Sequence, residues 1–506
     1  MRKILLPVAG IILLFIGTIH HTVAQVAATT AKPAAEKRTK TRAGKETGPA
    51  EKYKTQAIAD LQAQRGQYKA IALQIWGYAE LGYKEAKSSG LHQKTLTDNG
   101  FAVEAGVAGM PTAFVATYGS GQPVIGILAE FDALPGLSQD SVPEKKPVGG
   151  VAGHACGHHL FGTASVAAAV ELKKIIEQNH LTGTIKLFGT PAEEGGAGKV
   201  YMVREGLFKD VDVVVNWHPS TSNAVAYSNS LAVISAKFRF HGVSAHAAMA
   251  PDKGRSALDA VEGMDYLVNM MREHIPSDAR IHYVITDGGK APNVVPDFAE
   301  SYYFVRNKNR DIARQIFDRV VKAAQGAALG TGTTMDYEII DGDYDILPNK
   351  ALSLAMQKDL EKVGGIEYTP GEMEFAKKIQ ATFAYKAPPI ESSFQVEPLS
   401  PTIQDGPASS DVGDVSWNVP TIGMGAATWV AGTNAHSWQA VACGGTEIGI
   451  KGMMVAAKTM TLMGIDLLTQ PSLVTAAKEE FQKDRGADFK YVPLLGDRKP
   501  ALNYRN

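Results

Sequence analysis

Three short apolar runs, each breaking off into side chains that bind metals or protons, constrain the fold of this chain more than any other feature. Val124–Ala129 leads into Glu130-Phe131-Asp132, and Thr184–Phe188 into Pro191-Ala192-Glu193-Glu194-Gly195-Gly196. Val211–Val215 leads into Asn216-Trp217-His218-Pro219. Uninterrupted apolar runs fit strands covered on both faces, as in parallel sheets. Open α/β sheets gather their sites at the C-terminal ends of such strands. An Ala-rich helical stretch, Thr163–Ile176, separates the first two runs. The alternation predicts an α/β fold with a mixed, largely parallel sheet and helices on both faces.

Helical apolar spacing begins near Lys54, and residues 54–231 are read as the first part of a catalytic domain. Residues 232–345 break the pattern. Ala232–His241 reads as a strand and Arg255–Glu273 as a helix. Two strands (Arg280–Thr286, Ala299–Arg306), a helix (Asp311–Ala328) and a strand (Thr333–Ile340) follow. That order is βαββαβ, a ferredoxin-like pattern, and it predicts an inserted lid or dimerisation domain. The catalytic domain resumes over 346–475, with a Pro- and Ser-rich loop at 384–410, and 476–506 reads as a C-terminal tail.

The N-terminus has its own logic. Met1-Arg2-Lys3 precedes an almost unbroken apolar run, Ile4–Ile19, and Thr22-Val23-Ala24 ends in a small residue. This is the layout of a signal peptide over residues 1–24, since a spanning helix needs about 20 apolar residues. It predicts a periplasmic or secreted protein with no stable membrane insertion. Residues 25–53 lack large apolar groups and read as a flexible tether. A formal net charge of −1 over 506 residues gives no reason to expect a nucleic-acid partner. Only two cysteines occur, Cys156 and Cys443. Cys156 sits among histidines, so metal ligation is favoured over a disulfide.

That cluster, Gly153-His154-Ala155-Cys156-Gly157-His158-His159, packs imidazole and thiol ligands into seven residues with glycines to turn the backbone. Glu193-Glu194 is the second candidate. Adjacent carboxylates repel unless a cation or protons neutralise them. One can hold metal while the other acts as general base on water. His218 and His436 are weak candidates taken alone.

Read together, the motifs resemble the M20 family of metallo-amidohydrolases, in its amidohydrolase branch. The resemblance rests on Gly153–His158, on Pro191–Gly196, and on Gly242-Val243-Ser244-Ala245-His246-Ala247-Ala248. Trp217-His218-Pro219, Gly254–Val261 and Ser410–Trp417 add to it, and it runs from about residue 55 to 475. It implies two divalent ions, Mn or Zn, with Cys156 bridging them and His158, Glu194, His218 and His436 completing their shells. Glu193 would be the general base, and His246 would reach a partner subunit's site to stabilise the oxyanion. Asn293 and Arg306 would hold the substrate's carboxylate, and Asp132 would orient a ligand. His154 and His159 are relegated to support; His159 stands where the branch often has Asp, and Phe161 where it often has His. The implied reaction is hydrolysis of an N-acyl or N-aroyl amino acid, aminobenzoyl-glutamate-like, by a homodimer or a heterodimer with a related subunit. Two alternatives stand beside it: an exopeptidase or dipeptidase on short peptides, and a catalytically silent metal- or ligand-binding partner subunit.

Overall fold

Six strands lie side by side in the order Ala102–Ala105, Phe114–Ser120, Gly183–Gly189, Val124–Ala129, Val213–Val215, Thr421–Ile422. The last four run parallel, while Phe114–Ser120 is antiparallel to both its neighbours. The computed structural model describes residues 48–505. The leader at 1–24 and most of the tether at 25–53 lie outside these residues. The end of that tether is helical: the first helix spans Pro49–Ala63, with Pro49 in its first turn and Ala57 and Leu61 buried. Ala57 and Leu61 supply a buried face that the lack of large apolar groups upstream concealed.

All six residues of Val124–Ala129 are buried, as a central parallel strand requires. Against the sheet pack two buried helices, His158–Asn179 and Glu447–Thr469, which also pack on each other. Among the described residues, Glu447–Thr469 is long and apolar enough to cross a membrane, but its apolar window is 89% buried inside the protein. It is a core helix.

Ala232–His241, Arg280–Asp287, Phe298–Asn307 and Thr334–Asp343 form a separate antiparallel sheet, with Ala232–His241 lying between Phe298–Asn307 and Thr334–Asp343. Helices Ala257–Met271 and Arg310–Thr331 cover it, and Phe238, Phe240, Tyr303 and Val320 lie in a core of its own. Both helices are properly begun: Ser256 Oγ accepts from Asp259 N, and Asn309 Oδ1 accepts from Asp311 N and Ile312 N. The 411–417 segment fastens this unit to the large sheet. Asp414 accepts from Tyr344 N at 2.9 Å, and Trp417 stacks 3.5 Å beneath the Arg310 guanidinium.

The predicted loop is present and one boundary differs from the sequence reading. The loop at 384–410 is irregular apart from a short turn, Ile390–Phe394, yet it is pinned: Ser393 Oγ donates to Thr221 O at 2.7 Å. The tail begins in mid-helix, because Pro471–Arg485 is one helix with Ala477 and Phe481 buried. Residues 486–505 then return across the molecule, burying Leu494 and Leu495.

Candidate metal centre

Gly157, at φ 75°, turns the backbone through the left-handed region directly before a helix. The helix therefore begins at His158 itself, five residues earlier than the sequence suggests, and points Cys156 and His158 toward the strand ends. The glycine is required twice over, since a Cβ there would press on Pro219 at 2.7 Å. After Gly183–Gly189 the chain makes a tight turn, Glu193–Gly196, entered through Ala192 at φ 57°. His218 follows the short Val213–Val215 strand, and His436 sits in a left-handed turn at φ 60°.

These four segments converge. The ligand atoms of Cys156, His158 and His218 lie within 4.8 Å of one another, and so do those of Cys156, Glu194 and His436. Cys156 belongs to both groups. Its Sγ is 3.4 Å from His218 Nε2, and His436 Nε2 is 3.1 Å from Glu194 Oε1. His218 Nδ1 donates to Pro219 O at 2.8 Å, which leaves Nε2 free to ligate. His158 Nδ1 is 2.8 Å from Asp132 Oδ1, and the other oxygen of Asp132 accepts from Glu194 N at 3.0 Å. One carboxylate thus aligns two ligands.

The same histidine faces Glu130. His158 Nε2 is 3.1 Å from Glu130 Oε2, without hydrogen-bond geometry. Glu130 Oε1 in turn pairs with the fully buried Lys199 at 2.7 Å, and Lys199 with Asp411 at 2.6 Å. Burial alone favours a neutral Lys199, but Asp411 and Glu130 override it and hold the ammonium charged.

Electrostatics divide the site. Burial pushes the Cys156 thiol well up, with Glu194 adding to it. Burial, then Glu130 and Glu194, push the Glu193 carboxyl far above the carboxylate range. His218 opens onto the cavity, yet the protein packed around it pulls it down to about 4, so it is neutral at pH 7, the form that can ligate a cation. His158 is held high: burial pulls it down, but Cys156, Asp132 and Glu130 outweigh that.

The donor set fits divalent cations. His158 Nε2 and Glu194 Oε1 are buried and make no hydrogen bond. Such atoms are costly unless something binds them. Imidazole and thiol donors suit a borderline-soft ion such as Zn, and the carboxylates also suit the harder Mn. A cavity of about 610 Å³ opens over the cluster, lined by Cys156, Glu193, Glu194, His218, His436 and Arg306, among others.

Residues 126–437 match the model of peptidase family M20/M25/M40. The chain belongs to this family. The B subunit of the p-aminobenzoyl-glutamate hydrolase of Escherichia coli (strain K12) is 40% identical over 467 residues, covering 87% of this M20 chain and 97% of the relative. The Xaa-Arg dipeptidase of Mus musculus is 29% identical over 429 residues, 82% and 88% of the two. A dinuclear metal-binding M20 peptidase from Bacillus subtilis superposes with a TM-score of 0.54 at 15% identity, over 81% of this chain and 99% of that one; this likeness concerns the fold. The M20 chain is a metal-dependent hydrolase of amide bonds.

The structure leaves two sequence-predicted residues of this M20 enzyme outside the cavity. His246 and Asn293 are exposed on one loop pair of the βαββαβ unit, where Ala247 N donates to Asn293 O at 3.0 Å. His246 Nδ1 accepts from Met249 N at 3.2 Å, so its proton sits on Nε2. His154 and His159 bond to backbone carbonyls, Ile75 O and Gly444 O, both at 3.1 Å. Neither joins the ligand groups. Cys443 is a free, buried thiol, remote in sequence and packed in another core cluster. Sequence reasoning missed Lys199 as the partner of Glu130 and Asp411, although Asp411 lay in a matched motif. It also missed Arg505, which lines the cavity.

Proposed function

We propose that this M20 enzyme is a dinuclear amidohydrolase that cleaves an N-acyl or N-aroyl amino acid, with aminobenzoyl-glutamate-like compounds as the leading class. The observation that carries this reading is the pair of ligand groups sharing Cys156, with Glu193 outside both; Glu193 forms a third possible group with Glu130 and His158. Cys156, His158 and His218 would hold one ion, and Cys156, Glu194 and His436 the other. Bound divalent ions supply Lewis acidity, which acidifies water and polarises a carbonyl.

The chain's own residues do the rest. Glu193 takes a proton from the attacking water and passes it to the departing amine. Arg306, on the cavity wall, offers a planar fork to the substrate's carboxylate. His246, bearing its proton on Nε2, is suited to donate to a developing oxyanion. Its place outside the cavity supports action in a second subunit's site, with Asn293 beside it. The partner is then a second copy or a related subunit, a reading supported by the Escherichia coli relative, which is itself one named subunit of a hydrolase. The apolar N-terminal run supports export to the periplasm or beyond.

The test is a panel of N-benzoyl amino acids and dipeptides offered to the full chain loaded with Zn or Mn. We expect turnover of benzoyl amino acids, falling by about 10²–10⁴-fold in Glu193→Gln with metal content unchanged. A wild type that hydrolyses nothing in the panel would overturn hydrolysis by this chain alone and favour the silent-subunit reading.

A further inference from the structure

The returning segment 486–505 ends in the catalytic turn. Leu494 packs on Gly342 of the βαββαβ unit, and the Arg498 guanidinium bonds to Ile339 O and Glu338. Arg204 Nη1 then donates to the Arg498 carbonyl at 2.7 Å. Tyr504 next seats edge-on against Tyr83, ring centroids 5.7 Å apart, and donates to Glu194 O at 3.1 Å. Two glycines make room for it. A Cβ on Gly82 would collide with the Tyr504 hydroxyl, and one on Gly196 would press on its ring at 3.3 Å. The contact is built from both sides.

Arg505 is the product of this docking. One of its terminal N–H groups donates to the same Glu194 carbonyl, and its guanidinium lies 5.1 Å from the Tyr504 ring centre. Its Nε is buried without a partner, and so is that of Arg306. Both residues line the cavity above the ligand cluster. Arg306 lies over Phe304, which packs on Tyr302, so Arg306, Phe304 and Tyr302 share one face of a strand; Arg505 acts electrostatically on Tyr302 at the other end of that row. Asp341 and Asp343 also line the cavity, and burial pushes both carboxyls up, Asp341 to about 6 and Asp343 well above the usual carboxylate range.

We propose that Arg505 is a specificity-determining residue, a second guanidinium that reads a second carboxylate and so selects acyl amino acids with an acidic side chain. The inference rests on the cavity's taking an N-acyl amino acid. Arg306 grips one carboxylate and Arg505 the other. Held by a carbonyl and an aromatic ring, Arg505 needs little ordering when ligand arrives, and its fork matches a carboxylate as Lys cannot.

The test uses the full, Zn-loaded chain and two amines that cannot be hydrolysed, N-benzyl-glutamate and N-benzyl-glutamine, titrated by calorimetry. Arg505→Gln retains a donor for the Glu194 carbonyl and removes the charge. We expect it to weaken N-benzyl-glutamate by about tenfold or more and to leave N-benzyl-glutamine within about twofold, with Arg505→Lys in between. Equal weakening of both ligands would show that Arg505 only braces the catalytic turn, and would overturn the proposal. So would a wild type with no preference for the glutamate ligand, including one that binds neither. Hydrolysis of N-benzoyl-glutamate is assayed separately. If it is absent while binding depends on Arg505, the amidohydrolase reading falls and this one stands.

Discussion

Loss of Lys199 tests the buried charge cluster beside the site most directly. Lys199 is fully buried, and its ammonium is the only cation paired to both Glu130, 1% exposed, and Asp411, 0% exposed, among the described residues. Lys199→Met preserves length and removes the charge. Asp411 keeps one compensating bond, from the Lys199 backbone N–H at 2.9 Å, and Glu130 keeps its approach to His158. Two buried carboxylates nonetheless lose their shared counter-charge, and breaking a buried ion pair from one side costs about 3–5 kcal/mol. We expect a loss in that range by equilibrium urea unfolding, followed by tryptophan fluorescence and circular dichroism so that coincident transitions check two-state behaviour. Adding Asp411→Asn, which still accepts from the backbone N–H, should recover part of it. The deficit should also shrink from pH 8 to pH 5. The orphaned carboxyls have folded pKa values above their unfolded ones, so the penalty lifts as pH falls and they take up protons. A loss under about 1 kcal/mol, or one independent of pH, would refute the claim that Lys199 neutralises this pair.

Asp132→Asn removes the carboxylate that aligns His158 and the Glu194 backbone; metal affinity, read by competition with a chelator, should drop about 10–100-fold, and an unchanged affinity would mean that Asp132 orients nothing. His246→Ala should lower kcat far more than it raises KM; a loss confined to KM would end its oxyanion role. Asp414 is pushed up to about 8, chiefly by burial, against the bonds from Tyr344 N–H and Tyr491. Its folded form keeps a proton that the unfolded chain releases near pH 4, so its contribution to stability falls as pH rises from about 4 to about 8. Asp414→Asn should flatten that part of the stability–pH curve, and an unaltered slope would contradict the assignment.

Much of the site was legible because its chemistry is local. Cys156, His158, Glu193 and Glu194 sit in short motifs at strand ends, where buried apolar runs announce the strand and the polar break announces the site. His218 and His436 were legible only through resemblance, since a lone histidine has no periodicity to betray it. The βαββαβ order was readable from alternating periods, although strand and helix ends shifted by a residue or more. Lys199 was hidden for a physical reason. A lysine after a Gly-rich turn reads as a solvated surface charge until both of its carboxylate partners, one 69 residues earlier and the other 212 residues later, are seen to close around it. Arg505 and Tyr504 were hidden likewise, because a polar closing segment advertises nothing about where it docks.

That closing segment has a mechanical side. It is fastened to the four-stranded sheet at Gly342 and Glu338 and to the large-sheet unit at Arg204 and Glu194. A ribbon anchored on two bodies acts as a check-rein. Rotation of one sheet against the other can use only the slack between Arg498 and Tyr504 before the rein tightens on the Glu193–Gly196 turn. Any movement of one sheet against the other would therefore be felt at the turn that carries Glu193 and Glu194.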